Sequence, residues 1–273
     1  MNTTLSSSAW KILAICAITL SSVGLSAVHA QGFSALVSPP RFEDNVKPGD
    51  TYRNIIEITN VSNQKSHFSA RTADWSLNDA GAAEFFDPLS PNSCRPWVAV
   101  ESHDITAGPN VKTRYRFEVK IPANAPAGEC RFAILIEGDP ENIPGSKVPL
   151  PVSGRIGVIV YLVIGNATSN PKLLGYATKT IDNRLLPGLK ISNSGNAHGR
   201  LEGLVDGTDA SGKTYSMIPA NTPILPGETR VITLTPQPYK ASDPAPVLHY
   251  PVRLSGRLDF GSKHIDVKDT VSQ

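Results

Sequence analysis

The stretch VSGRIGVIVYLVI, residues 152–164, decides how this chain is organised. β-Branched residues dominate it, and glycines at positions 154 and 157 disfavour a helix, so it predicts a long buried strand. At thirteen residues it is too short to cross a bilayer, because a spanning helix needs about 20 apolar residues. Arg155 is the single charge within it. The stretch therefore closes one β-rich half of the chain, and a second half follows it.

The first 30 residues have the features of a secretory signal peptide. Lys11 precedes an apolar core at residues 12–25, and residues 28–30 resemble a small-residue cleavage site. A membrane anchor would need a longer apolar run. A lipoprotein signal would place a small residue before Cys16, where the chain has Ile15. We expect cleavage after residue 30, export to the periplasm, and no membrane insertion of the mature protein.

Composition excludes several classes of function. Lys and Arg (26) nearly balance Asp and Glu (24), which gives no reason to expect nucleic acid or an anionic membrane as a partner. The histidines are scattered without zinc-ligand spacing, and the sequence has no P-loop, dinucleotide fingerprint or nucleophile elbow. Asp206, Asp209 and Gly212 do not fit a calcium loop. We expect no enzymatic activity, no cofactor and no metal.

Removal of the signal peptide would leave two cysteines, Cys94 and Cys130. In an exported protein, one disulfide is the simplest arrangement, and two free thiols are the alternative. On the chain-entropy model, a bond closing a loop of this length would stabilise the fold by about 4 kcal/mol.

Short strands separated by Pro and Gly turns (23 and 21 residues) predict an all-β sandwich. A weak internal repeat suggests two copies of it. ITNVSN at residues 58–63 parallels ISNSGN at residues 191–196, and residues 105–108 parallel residues 224–227. The predicted fold is all-β, with two immunoglobulin-like β-sandwich domains in tandem, residues 31–165 and 166–273, after a signal peptide at residues 1–30.

Several motifs, in this order and spacing, resemble the periplasmic chaperones of pilus and fimbria assembly. The match covers roughly residues 31–164 and is looser afterwards. The motifs are Ser38-Pro39-Pro40-Arg41, Ile58-Thr59-Asn60, Ala73-Asp74-Trp75, the corner Pro126-Ala127-Gly128-Glu129-Cys130-Arg131-Phe132, and Val152-Ser153-Gly154-Arg155-Ile156. The resemblance implies two immunoglobulin-like domains set at an angle around a cleft.

The resemblance also implies a mechanism. In that family two basic residues bind the C-terminal carboxylate of a pilus subunit, and alternating apolar residues of the last strand complete the subunit's open sandwich. Carried over, the carboxylate pair is Arg41 and Arg155, and the donated side chains are Val148, Leu150 and Val152. The implied partners are a pilus or fimbrial subunit and, as a second partner, an outer-membrane usher.

The proposed donor segment departs from the family's pattern. Pro149 and Pro151 lack an N–H, so the segment can donate hydrogen bonds from one edge only. Val148 and Leu150 would alternatively form an edge strand packed on its own sheet, and the two arginines would be ordinary surface residues.

Two other functions stay open. A two-domain periplasmic or surface protein with a structural or adhesive role would have a covered last strand and no basic cleft. A hydrolase or carbohydrate-binding module would have a cleft lined by paired carboxylates and aromatic rings.

Overall fold

A computed structural model describes residues 34–91, 93–142 and 151–273 of the chain. The predicted signal peptide lies outside the described residues. The described chain is almost entirely β-strand, with one turn of 3-10 helix at Arg95–Trp97. Nowhere in these ranges is there a helix long and apolar enough to cross a membrane.

The described residues of the first half form twelve strands. They are β1 (Ala35–Ser38), β2 (Arg41–Val46), β3 (Thr51–Asn60), β4 (Ser66–Leu77), β5 (Ala83–Phe86), β6 (Val98–Val100), β7 (Asp104–Ala107), β8 (Lys112–Lys120), β9 (Gly128–Gly138), β10 (Glu141–Asn142), β11 (Pro151–Val152) and β12 (Arg155–Ile164).

The second half contributes eight strands. They are β13 (Pro171–Ile181), β14 (Arg184–Asn193), β15 (Leu201–Glu202), β16 (Val205–Thr208), β17 (Thr214–Pro219), β18 (Thr229–Pro236), β19 (Val252–Phe260) and β20 (Lys263–Val271).

Two sheets face each other in the first half. One has the order β1-β3-β8-β6, and the other has the order β2-β12-β9-β4-β5, with β7 paired to β4. The chain passes from the first sheet to the second between β1 and β2. Alternate residues of both sheets bury one core, where the rings of Phe42 and Phe132 pack against Phe117 at centroid distances of 5.4 and 6.2 Å.

The second half forms one eight-stranded sheet around its own core. Its order is β13-β14-β18-β17-β16-β19-β15, with β20 paired to β19. Leu189, Met217 and Phe260 are fully buried in that core. Each half therefore has its own hydrophobic core, and the predicted tandem all-β immunoglobulin-like fold is confirmed.

The internal repeat corresponds to the same corner in both halves. Asn60 is fully buried, and its Nδ2 donates to the carbonyl of Ala107 at 3.2 Å. Asn193 is buried in the same way, and its Nδ2 donates to the carbonyl of Ile224 at 3.0 Å. In each half, an asparagine at the end of one strand is hydrogen-bonded to the turn before another strand, which is β8 in the first half and β18 in the second. An uncompensated amide would be costly at these buried positions.

The strand predicted over residues 152–164 is divided in two. β11 ends at Val152 and β12 begins at Arg155, with Ser153 and Gly154 between them. In the second half, Gly203 adopts a φ of +107° and separates β15 from β16.

The predicted disulfide is present. Cys94 precedes the 3-10 turn and Cys130 lies on β9, with their Cα atoms 5.4 Å apart and a sequence separation of 36. Both residues are buried in the core of the first half. The bond therefore fixes the loop after β5 to a central strand.

Candidate functional site

The outer face of the sheet containing β12 turns toward the second half. Ala73, Trp75, Leu135 and Tyr161 on that face form an apolar cluster with Leu225 of the second half. Trp75 is 4% exposed. Its contacts lie between the halves rather than inside the sandwich, whereas Phe117 and Phe132 lie inside it.

A buried carboxylate links the two halves. The side chain of Glu129 on β9 is fully buried. Its Oε2 accepts the backbone N–H of His198 at 2.7 Å and also contacts Nδ1 of the His198 ring. Arg131 Nη1 lies 3.3 Å from the other oxygen. A carboxylate removed from water requires such partners.

Local sequence explains how His198 and Arg200 come to face the first half. Between them lies Gly199, where an added Cβ would come within 2.1 Å of the Phe260 ring. Because this position packs directly on Phe260, only glycine fits it. The flanking side chains point the opposite way, since neighbours in an extended chain alternate.

Glu43 accepts hydrogen bonds from both halves of the chain. It lies on β2 opposite Tyr161. Its Oε1 is 2.7 Å from Arg41 Nε and 2.6 Å from Arg200 Nη1. Its Oε2 is 3.5 Å from His198 Nε2. Two guanidinium groups therefore share one carboxylate oxygen, a strong charge-assisted arrangement.

The protonation of this cluster follows from its contacts. Burial alone would raise the pKa of Glu43, but its hydrogen bond to His198 and the charges of Arg200, His198 and Arg41 lower the pKa to about 2. Burial would lower the pKa of His198, but hydrogen bonds to Glu129 and Glu43 raise it above its usual value. Glu43 is therefore an anion at neutral pH.

Tyr161 forms the floor of this cluster. Its ring stacks on His198 at a centroid distance of 4.0 Å, and Arg200 lies over it at 5.5 Å. Burial, followed by the competing charges of Arg200 and Glu129, raises the pKa of Tyr161 to about 12. The phenol is therefore neutral and acts as a packing surface.

The halves meet at a second place. Arg230 Nη1 and Nη2 donate to the carbonyls of Asn78 and Leu77, each at 2.8 Å. Lys179 Nζ donates to the carbonyl of Asp79 at 2.7 Å. The turn between β4 and β5 is therefore bound to the second half independently of Glu43.

A cavity of about 380 Å³ opens beside Glu43, between the halves. It is lined by Arg41, Glu43, Arg200, Leu201, Glu202, Gly203, Ile218, Pro219 and Asn221. Two of these nine residues are arginines from different halves of the chain. The cavity is therefore a cleft whose wall carries two arginines and two glutamates.

Arg155 lies outside this cavity. Its Nη1 is 3.3 Å from Glu137 Oε1, and its guanidinium lies 5.7 Å from the centre of the Phe85 ring. Arg71 Nη2 contacts the same Glu137 oxygen at 3.2 Å. The structure thus gives Arg155 and Arg41 different carboxylate partners.

Register gives the separation of the two predicted anchor residues. Arg41 is opposite Ile159 of β12, four residues beyond Arg155, which corresponds to about 13 Å along the strand at ~3.3 Å per residue. Both side chains project from the same face of the sheet, because residues 155 and 159 share a face. Arg41 and Arg155 therefore lie on the same face of the sheet but bind different carboxylates.

β12 has one open edge at its start. Residues from Ile159 to Ile164 pair with β2 on one side and β9 on the other. Arg155–Val158 pair with β9 alone among the described strands. Ile159 N donates to Pro40 O at 3.1 Å, so by alternation the backbone groups of Arg155 and Gly157 face the open edge.

The predicted donor residues lie upstream of this edge. Val148 and Leu150 lie outside the described residues. Val152 is 51% exposed, and it pairs with Glu141 where β11 meets β10. Val152 and Arg155–Val158 therefore pair, on one side, with the part of the chain that runs from β9 into β10.

Sequence reasoning missed Glu43, His198 and Arg200 as members of the site, although Glu129 lies within a motif used for the resemblance. The available signal was His198-Gly199-Arg200 directly after the Asn193 corner, with two basic residues flanking one glycine.

No group of His, Cys, Asp and Glu residues within the described ranges could hold a metal ion. Asp209, considered as a calcium ligand, accepts loop hydrogen bonds from Ser211, Lys213 and His249 instead.

No family model matches the sequence, and no curated protein matches it. Among solved structures, the chain is similar to the class 5 fimbriae chaperone CfaA, with 11% identity, a TM-score of 0.44, and coverage of 80% of this chain and 100% of that one. It is also similar to the YadV chaperone, with 12% identity, a TM-score of 0.46, and coverage of 87% and 100%.

A third similar structure is the Pseudomonas aeruginosa CupB2 chaperone, with 12% identity, a TM-score of 0.42, and coverage of 83% and 96%.

Proposed function

We propose that this protein is a non-enzymatic periplasmic chaperone that binds an extended segment of a pilus or fimbrial subunit at the open edge of β12. The observation that supports the proposal is the edge of β12 at Arg155–Val158, which no described strand pairs on the side of β2 and which ends next to Arg41 in the wall of the cleft. An unpaired edge is a template for a further strand.

The position of β2 suggests how the partner would lie. β2 runs parallel to β12 and occupies the edge from Ile159 onward. A partner strand at Arg155–Val158 would continue the line of β2, and its path would end at Pro40. In the parallel direction the partner's C-terminus would arrive there, beside Arg41. A carboxylate would meet a positive charge, whereas the amino terminus of an antiparallel strand would be repelled.

The carboxylate would be held by basic residues of the cleft. The sequence resemblance names Arg41 and Arg155 for this role. Arg41 lines the cavity, and Arg155 flanks the open edge at the other end. The apolar residues Val148, Leu150 and Val152 would fill the groove of the partner. Strand pairing and groove filling would supply the binding energy, with no nucleotide or metal.

The competing adhesive or structural function requires a covered last strand and no basic cleft. Two observations favour the chaperone function over it: no described strand pairs with Arg155–Val158 on the side of β2, and two arginines lie in the cavity wall.

Co-expression with a fimbrial subunit encoded in the same gene cluster tests the proposal. The wild-type protein should raise the amount of soluble subunit in the periplasm, and Arg41→Ala combined with Arg155→Ala should lower it. A matched control replaces two exposed arginines elsewhere, Arg53 and Arg257, by alanine. Unchanged subunit levels in the Arg41/Arg155 variant would refute carboxylate capture by this pair.

The proposed domain division, residues 31–165 and 166–273, can be tested together with this function. Each segment should fold when expressed alone, because each contains its own core. Neither alone should raise the soluble subunit, because the cleft needs both.

A further inference from the structure

Two arginines from different halves of the chain meet at a single oxygen of Glu43. Arg41 Nε approaches Oε1 from β2 itself, and Arg200 Nη1 approaches it from the segment before β15. A carboxylate between two guanidinium groups is the geometry that such groups adopt around any bound carboxylate. Glu43 therefore occupies an anion site that the protein itself has built.

This site is open to a ligand. Glu43 is a third exposed in its side chain and lies in the wall of the 380 Å³ cavity. Arg200 is 8% exposed, and its Nε is buried without an acceptor among the described residues. A buried guanidinium with an unused donor is poorly satisfied by its present partners.

A second group of two arginines around one glutamate lies farther along the same sheet. Arg155 and Arg71 both contact Oε1 of Glu137. That group does not line the cavity between the halves. The guanidinium of Arg155 lies 5.7 Å from the centre of the Phe85 ring. The two groups have similar chemistry, but only Arg41, Arg200 and Glu43 line the cavity between the halves.

We propose that Arg41 and Arg200 form the anion site of the cleft, that Glu43 occupies it in the free protein, and that a partner's C-terminal carboxylate binds by displacing Glu43. This inference rests on the proposed function and replaces Arg155 by Arg200 as the companion of Arg41. It adds a residue of the second half to the binding site and makes Glu43 an internal competitor.

The displaced Glu43 keeps a partner. Its Oε2 already lies 3.5 Å from His198 Nε2, so the side chain can turn away from Arg41 and stay beside His198. The incoming carboxylate then accepts from both guanidinium groups. Glu202 also lies on the cavity wall, and its negative charge repels an incoming carboxylate as it would any other anion. Diffuse attraction is therefore weak, and recognition depends on contact with the two arginines.

The probe is a short labelled peptide of alternating valine and threonine, prepared with a free C-terminal carboxylate and as the C-terminal amide. Affinities of both forms are measured by fluorescence anisotropy for the wild type, Glu43→Gln and Glu137→Gln. Asp266→Asn, which removes an exposed partner of Arg257, is the neutral control. Glu43→Asp is included because it keeps the charge but is too short to bridge both arginines.

Glu43→Gln should bind the acid peptide roughly fivefold to tenfold more tightly than the wild type, because one charged competitor is removed. Its affinity for the amide should not change. Glu43→Asp should shift the acid affinity in the same direction. Glu137→Gln and Asp266→Asn should match the wild type with both peptides.

Other results would overturn the inference in distinguishable ways. Tighter acid binding by Glu137→Gln instead of Glu43→Gln would make Arg155 the anchor and leave the chaperone function intact. Unchanged acid binding in both Glu43 variants would show that Glu43 does not compete. Equal binding of acid and amide by every variant would remove carboxylate capture altogether. Binding of neither peptide would refute strand addition along with the inference.

Discussion

Arg200 Nη1 lies 2.6 Å from Oε1 of Glu43, joining residues that are 157 positions apart in sequence. The contact connects the two sandwiches at the point where β2 begins to cover β12. It therefore determines both how the halves are held together and which charges face the cleft. The predictions below follow from this contact and from the strand beside it.

Loss of Arg200 should destabilise the contact between the halves. Arg200→Ala would leave Glu43 with fewer partners and expose the stacked ring of Tyr161. Breaking a largely buried ion pair costs about 3–5 kcal/mol, and the partial exposure of Glu43 places this case nearer ~2–3 kcal/mol. Chemical denaturation measures the change. Arg257→Ala, which breaks an exposed pair with Asp266, should change stability by less than about 0.5 kcal/mol.

Stability should fall at acidic pH because of Glu43. Its pKa is about 2 in the folded protein and 4.5 as a free side chain. A lowered pKa contributes stability that is fully present above about 4.5 and is lost as the pH falls toward 2. Denaturation midpoints measured across this range should drop less steeply in Glu43→Gln than in the wild type. Equal slopes for the two proteins would contradict the assignment.

Gly157 should resist replacement because Phe85 lies against it. A Cβ at this position would be 2.2 Å from Cζ of the ring. Gly157→Ala should therefore cost about 1–3 kcal/mol, and adding Phe85→Ala should recover part of the loss. A double-mutant cycle measures this coupling. Gly128→Ala, at a position with nothing within 4 Å of the added Cβ, is the matched control.

The Cys94–Cys130 bond should contribute substantially to stability. Removal of both sulfur atoms by alanine substitution is expected to cost about 4 kcal/mol on the chain-entropy model. The same loss should follow when the wild type is denatured in the presence of a reductant. A double variant as stable as the oxidised wild type would show that the bond is not needed to hold the first half.

Strand periodicity and the two asparagine corners were enough to predict the tandem all-β fold. Along β8 (Lys112–Lys120), for example, exposed charged residues alternate with buried apolar ones. β2 was missed because RFEDNV shows little alternation. Its position depends on parallel pairing with β12, a contact between residues more than a hundred positions apart. Local sequence carries no signal for such a pairing.

The site was predictable only in part. Arg41 lines the cleft, and it was predicted because Ser38-Pro39-Pro40-Arg41 resembles a motif of the pilus chaperones. Arg155 was selected because a charge in an apolar strand requires a partner, and Glu137 is that partner. Arg200 and Glu43 could not be paired from the sequence, because their contact exists only once the two halves have met.

The most direct measurement concerns the backbone amides of β12 in complex with the fimbrial subunit. Hydrogen exchange at Arg155 and Gly157, which face the open edge, should be fast in the free protein and slow in the complex. The amides of Ile156 and Val158 face β9 and should be slow in both states. Fast exchange at Arg155 and Gly157 in a saturated complex would contradict strand addition at this edge.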